Sequence, residues 1–164
     1  MNFHGLPTQN RVGKPRVFAM IYKTENEILE IVRAFENGTI SRSDWRHAEH
    51  LTVASFYAFH YDFETALEKM RDGIFNLLKA FNVDLTKEMP YHETLTVFWM
   101  QTIFDLLKVQ KDCSFVETAN QILEACGDKD LPLKFYSREV LFSPEARLEF
   151  VAADLKNHGN ANVR

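Results

Sequence analysis

The sequence predicts an all-α fold, a single-domain bundle of five to six helices behind a flexible N-terminal arm. Three observations lead there. Past position 24, apolar residues recur at the three- and four-residue spacing of one helix face. Side-chain caps precede most of these runs, at Thr24, Asp62, Ser114 and Ser143. The connections between runs are short, with no heptad run, internal repeat or low-complexity tract. At 164 residues the chain is of single-domain length and can bury a substantial core.

The elements follow in order. Thr24 caps a first helix, with Glu27 completing a capping box. Ile28, Ile31, Val32 and Phe35 form its stripe, and Asn37-Gly38 stops it. Ser43 or Asp44 caps a second helix running to about Tyr61. Asp62 caps a third, striped by Ala66, Leu67, Met70, Ile74, Leu77, Leu78 and Phe81. Gly73 within it permits a close approach at a cost of about 1 kcal/mol against alanine. A polar connection leads to Pro90, which is tolerated at a helix first turn and opens a fourth helix reaching about Gln110. Ser114 begins a fifth, ended by Gly127. Residues 128–142 read as mixed, a short helix or an extended piece. Ser143-Pro144-Glu145 then starts a last helix through about Leu155. The domain is therefore 24–155, between an arm at 1–23 and a polar tail at 156–164.

Composition narrows the function classes. Hydrophobic residues make up 46% of the chain, as in a soluble globular protein. The net charge of −4 argues against a nucleic-acid footprint, which shows as a basic face. No run approaches the ~18 apolar residues of a membrane span. Fourteen phenylalanines imply a large aromatic core or an apolar ligand cavity. Cys113 and Cys126 bracket the fifth helix, which holds them roughly 20 Å apart, beyond disulfide reach. Reduced thiols point to a cytoplasmic protein. The first 23 residues carry Arg11, Lys14, Arg16 and Lys23 and no acid, as a transit peptide does. Glycine and proline interrupt them, which favours a flexible arm with a short ordered stretch at Val17–Tyr22.

Two short stretches hold three of the six histidines: Trp45–Leu51 and Pro90–Thr94. Helical projection puts His47 on the inward face of the second helix with Asp44, Leu51, Ala54, Ser55 and Ala58. His50 falls at the edge of that face, and Arg46, Glu49 and His60 point away. On the fourth helix, His92 lies in the stripe Thr96, Trp99, Ile103 and Leu107, with Glu93 at its flank. Successive antiparallel helices make the second and fourth parallel, so their N-termini share one end of the bundle. His47, His50 and His92 would then form a metal set. Three nitrogens with an open position is the catalytic zinc pattern, and two histidines with Glu93 suit non-haem iron. Two other roles stay open. The imidazoles can be core groups bonded to Asp44 or Tyr91, or they can grip an anion beside the helix N-termini.

Other candidates are fewer. Arg138, in Tyr136-Ser137-Arg138, can clamp a substrate carboxylate or pin the last helix through Asp154. Trp45, Tyr91 and Tyr136 complete the candidate substrate-binding set, and Glu93 is the candidate catalytic base. His4, His60 and His158 read as surface residues. No phosphate loop, nucleophile elbow or paired Glu-x-x-His signature is present.

Together these stretches resemble a family of small helical bacterial proteins of uncertain function. Its recurring pieces are Trp-x-His-x-x-His-Leu, Tyr-His-Glu-Thr-x-Thr, and Tyr-Ser-Arg followed by Ser-x-x-Ala-Arg. Here they stand at Trp45–Leu51, Tyr91–Thr96, Tyr136–Arg138 and Ser143–Arg147. The resemblance implies an all-α cytoplasmic protein and brings no activity with it. Pro90 stands where the pattern has glycine, and Leu77-Leu78 where it has Tyr-Asn. The functional expectation is a small-molecule-binding protein, a metal-dependent enzyme if zinc, iron or manganese fills the cluster. The competing expectation is a non-catalytic interaction or scaffold module with structural histidines. A homodimer is compatible with both.

Overall fold

In a computed structural model, which describes residues 21–109 and 112–155, the protein is all helical, with no strand among those residues. Five long helices, α1 (Glu25–Glu36), α2 (His47–His60), α3 (Phe63–Ala80), α4 (Glu93–Val109) and α5 (Phe115–Cys126), build the bundle. A 3-10 turn (Leu131–Lys134) and two short helices, α6 (Arg138–Leu141) and α7 (Pro144–Leu148), close it. The tail and all of the arm but Ile21–Lys23 lie outside the described residues, including most of the Val17–Tyr22 stretch.

Local chemistry sets most boundaries. Thr24 and Glu27 form the capping box of α1, and Ser114 and Glu117 that of α5. Asp62 accepts the Thr65 N–H at the start of α3. Past α1, Gly38 takes φ +64°, a backbone position that L side chains rarely adopt.

The helix α2 runs through the middle of the bundle, packed against α1, α3, α4 and α5. The one-sided face expected of it is therefore too narrow. Thr52, Val53 and Tyr57 are buried along with Leu51, Ala54, Ser55 and Ala58. Its hydroxyls are satisfied within the protein. Thr52 Oγ1 donates to the Ala48 carbonyl at 2.8 Å, and Ser55 Oγ to that of Leu51 at 2.6 Å.

The domain starts earlier than position 24. Tyr22 is buried, its hydroxyl 2.8 Å from Thr52 Oγ1. Asn120 of α5 holds its backbone. The Asn120 carbonyl oxygen accepts the N–H groups of Ile21 and Tyr22, and its amide donates to the Tyr22 carbonyl.

The last helix ends earlier than its periodicity implied. Glu149 is extended and the described residues after it are non-helical, because tertiary partners take their backbone groups. Thr94 Oγ1 donates to the Glu149 carbonyl and accepts the Val151 N–H. Tyr136 donates to the Val151 carbonyl, and the Leu155 N–H reaches that of Phe135. Each bond fixes a residue that a continued helix would have turned away.

Gly73 gives the close approach expected of it. A Cβ there would overlap the ring of Phe35, which is fully buried and stacked on Trp45 at 4.8 Å. Replacing Gly73 with alanine should cost ~1–2 kcal/mol, overpacking outweighing the gain in helix propensity. The denaturant midpoint should fall and Trp45 fluorescence should shift; an unchanged or raised midpoint would contradict this packing.

Candidate functional site

The N-terminal ends of α2 and α4 meet at one cavity of about 310 Å³. Its wall includes Trp45, Arg46, His47 and His50 from the α2 end, and Tyr91, His92, Thr96 and Trp99 from the α4 end. Leu51, Met70, Ile74 and Met100 form its apolar floor. The shared helix end expected from connectivity is therefore present, and all three histidines border it.

The α2 end is built by a turn rather than by a cap at Ser43 or Asp44. Ser41 Oγ donates to Asp44 Oδ2 at 2.6 Å, and Asp44 stays outside the helix and exposed. The helix begins at His47, with Arg46 at the cap position and Glu49 accepting the Arg46 N–H. Trp45 packs between two elements, stacked on Phe35 of α1 and 4.0 Å from the His50 ring. The later start also turns Arg46, expected to face away, to the cavity wall.

The three imidazoles have different partners. His47 Nε2 donates to the Cys126 carbonyl at 2.8 Å. A carbonyl can only accept, so the proton sits on Nε2 and the lone pair on Nδ1. Its ring lies 4.8 Å from Trp99. His92 Nε2 donates to the Leu141 carbonyl at 2.7 Å, and Nδ1 accepts the Leu95 N–H. His92 is thus the side-chain cap of α4 and its tie to α6, with both nitrogens committed. Pro90 precedes this cap and is not the first helical residue. His50 has neither kind of bond. It packs on Trp45 and edges the cavity, and burial, then the neighbouring His47, push its pKa down to about 4.

The metal set of His47, His50 and His92 is accordingly not assembled. Among the described residues no group of three or more His, Cys, Asp or Glu side chains is arranged to hold a metal ion. His92 has no nitrogen lone pair left to give. Glu93, expected as a ligand or base, is buried and held by three donors. Arg71 engages both of its carboxylate oxygens, and Tyr91 donates to Oε2. Burial alone would raise the Glu93 pKa; the bonds from Arg71 and Tyr91 outweigh it and hold the carboxyl below its ordinary value. Burial and the carboxylate push the Tyr91 hydroxyl up to about 12.

Two expected substrate contacts lie elsewhere. Arg138 is exposed and sits over the Phe142 ring, away from the cavity wall. Tyr136 borders a separate groove with Phe98, Phe135 and Phe150. Asp154 accepts the Ser137 N–H, so the backbone of the Tyr-Ser-Arg stretch, not its arginine, pins the last segment. Cys113 and Cys126 are free thiols, and burial raises that of Cys126 to about 11. No described helix is long and apolar enough to cross a membrane.

Compared with family models, with curated proteins and with solved structures, the chain has no significant match.

Two outcomes follow from these partners. His92→Ala should destabilise the protein by ~2–3 kcal/mol, a lost cap plus a buried bond. His92→Asn, which can still cap, should recover part of that loss in urea unfolding. Equal losses for the two would show that the cap is idle. For His50, the folded pKa of about 4 lies below the ordinary 6.5. The unfolded chain then binds a proton that the folded one refuses. Stability should be full above pH 6.5 and fall towards pH 4, by at most ~3 kcal/mol. Imidazole NMR titration reads this directly, and a His50 midpoint near 6.5 would refute it.

Proposed function

We propose that the protein binds a small molecule in the cavity between the α2 and α4 N-termini, with His50 as the imidazole that meets it. The observation that carries this reading is the environment of His50. It is a polar ring packed on Trp45 at the cavity edge, with no hydrogen bond from the described residues. A half-buried polar group without a protein partner has lost part of its hydration, and a bound molecule can recover that cost. The setting is that of small-molecule sites, an apolar wall with a few placed polar groups, and its volume lies at the lower end of their range.

The reading does not call on a divalent metal. Such an ion would find two free nitrogens at this wall, His47 Nδ1 and one from His50, short of a three-ligand set. His50 is neutral at physiological pH and offers one donor and one acceptor. A bound ligand that stabilises its charged form would bring it into the range of an acid or base.

A second reading has an observation of its own. Phe142, Leu148, Phe150 and Leu155 are exposed on the closing segment, which is apolar surface for a partner or a second copy.

The test is titration with indole, a neutral probe matched to the wall, followed by NMR. Trp45, Trp99, His50 and the Met70 and Met100 methyls should shift together. Ala54→Leu or Met100→Phe, each narrowing the cavity, should abolish the response. Shifts confined to Phe142–Leu155, with a concentration-dependent dimer in light scattering, would replace this reading with the second.

A further inference from the structure

The cavity wall carries an uneven set of ionisable groups. Four bases border it: Arg46, His47, His50 and His92. No aspartate or glutamate does, in a chain with 23 acids against 19 lysines and arginines. The nearby acids are committed elsewhere, Glu93 to Arg71 and Tyr91, and Glu49 to the Arg46 N–H and guanidinium. A fifth base, Arg147, donates to the Met89 carbonyl and lies close enough to lower the His92 pKa further.

The hydrogen-bonding inventory has the same bias. His92 is fully used. His47 offers one lone pair. Tyr91 spends its proton on Glu93, and Thr96 spends its own on the His92 carbonyl. The side chains left to donate are His50, the indole N–H groups of Trp45 and Trp99, and the exposed Arg46 guanidinium, which lies 3.6 Å from Glu49 and keeps further N–H groups beside the α2 first turn. Arg46 makes no side-chain cap bond to that turn, where Glu49 takes the Arg46 N–H alone, whereas Thr24, Asp62, Ser114, Ser137 and Ser143 cap the turns of α1, α3, α5, α6 and α7. Leu51, Ala54, Met70, Ile74, Leu95 and Met100 make the rest of the wall apolar, with no second charged group beyond the bases.

We infer that the ligand is an apolar monocarboxylate, its acid group held by Arg46 and His50 at the α2 end and its hydrocarbon or aromatic body against Trp99, Met70 and Met100. This deepens the proposed cavity reading and rests on it. The guanidinium provides a forked donor for the carboxylate, and the helix end adds a favourable field. A bare phosphate would leave the apolar wall unfilled, and an ammonium would face the Arg46 guanidinium, the one permanently charged group at the wall.

Three acid and amide pairs test the assignment on the full chain: 3-phenylpropionate, indole-3-acetate and hexanoate, each against its neutral amide. 3-Phenylpropylamine and inorganic phosphate serve as controls. Calorimetry should give at least one acid binding tenfold or more tighter than its amide, with phosphate and the amine weaker still. The His50 midpoint should rise by one unit or more in the complex. Arg46→Gln should weaken the acid tenfold or more and leave the amide unchanged, and His50→Gln should reduce the acid-over-amide preference. Amides or the amine binding as well as the acids would overturn the carboxylate assignment while indole binding keeps the cavity reading. If indole binds and no acid does, the assignment likewise falls. If neither indole nor any acid reaches the cavity, both fall together.

Discussion

The rest of the structure depends on the burial of α2 by four neighbouring helices. From Leu51 to Ser55 that helix presents no solvated face, so each polar group there needs a partner inside the protein. Thr52 and Ser55 turn back to their own helix carbonyls, and Tyr22 joins Thr52 from the chain's first described turn. The small side chains of Ala54, Ser55 and Ala58 let the surrounding helices come close. At its N-terminal end this enclosure opens. The Ser41–Asp44 turn delivers the chain from outside the bundle, and Trp45 must span from Phe35 to His50. The cavity is the space left where the central helix begins.

Partners, rather than residue types, divide the labour among the ionisable groups there. His92 and His50 are the same side chain near the same wall. Two backbone groups consume the nitrogens of the first and make it a cap; the second meets only an aromatic face. Glu93 shows the same effect in a carboxylate. A buried acid at a helix start next to a histidine suggests a base, yet Arg71 reaches it from α3 in a bidentate pair and Tyr91 adds a third donor. With Glu93 paired in this way and no aspartate or glutamate at the wall, Arg46 is the one permanently charged side chain there, beside the His50 and His92 imidazoles that burial keeps neutral, and the ligand assignment stands on that asymmetry.

Much of the helical framework was legible along the chain because caps are local. Thr24 with Glu27, Asp62, and Ser114 with Glu117 act within three residues, and each boundary they imply is the one observed. The α3 stripe was legible too, since one face of that helix is buried and the other solvated. Legibility failed where a competing partner, near or far in the chain, intervened. Asp44 looked like a cap until Ser41 took its carboxylate. The last helix looked long until Thr94 and Tyr136 claimed the backbone beyond Leu148. In the candidate site, His47, His50, His92, Trp45 and Tyr91 border one cavity, because the N-termini of α2 and α4 share an end. Arg138 was misplaced, because nothing in its neighbourhood fixes where an irregular segment carries a side chain. Arg46 and Arg71 were missed, one because the helix start was set too early, the other because its partner lies 22 residues away.

By itself, the sequence determined an all-helical chain, its caps and stripes, and a meeting of two histidine-bearing helix ends. These depend on periodicity and on bonds that close within a turn. Only the tertiary structure decided which imidazole is spent and which is free, where the acids go, and that the cavity is bordered by bases and no aspartate or glutamate. Those outcomes are set by donors and acceptors far apart in the chain, such as Cys126 for His47, Leu141 for His92 and Arg71 for Glu93. A linear pattern carries no record of which carbonyl or guanidinium will arrive beside a given ring.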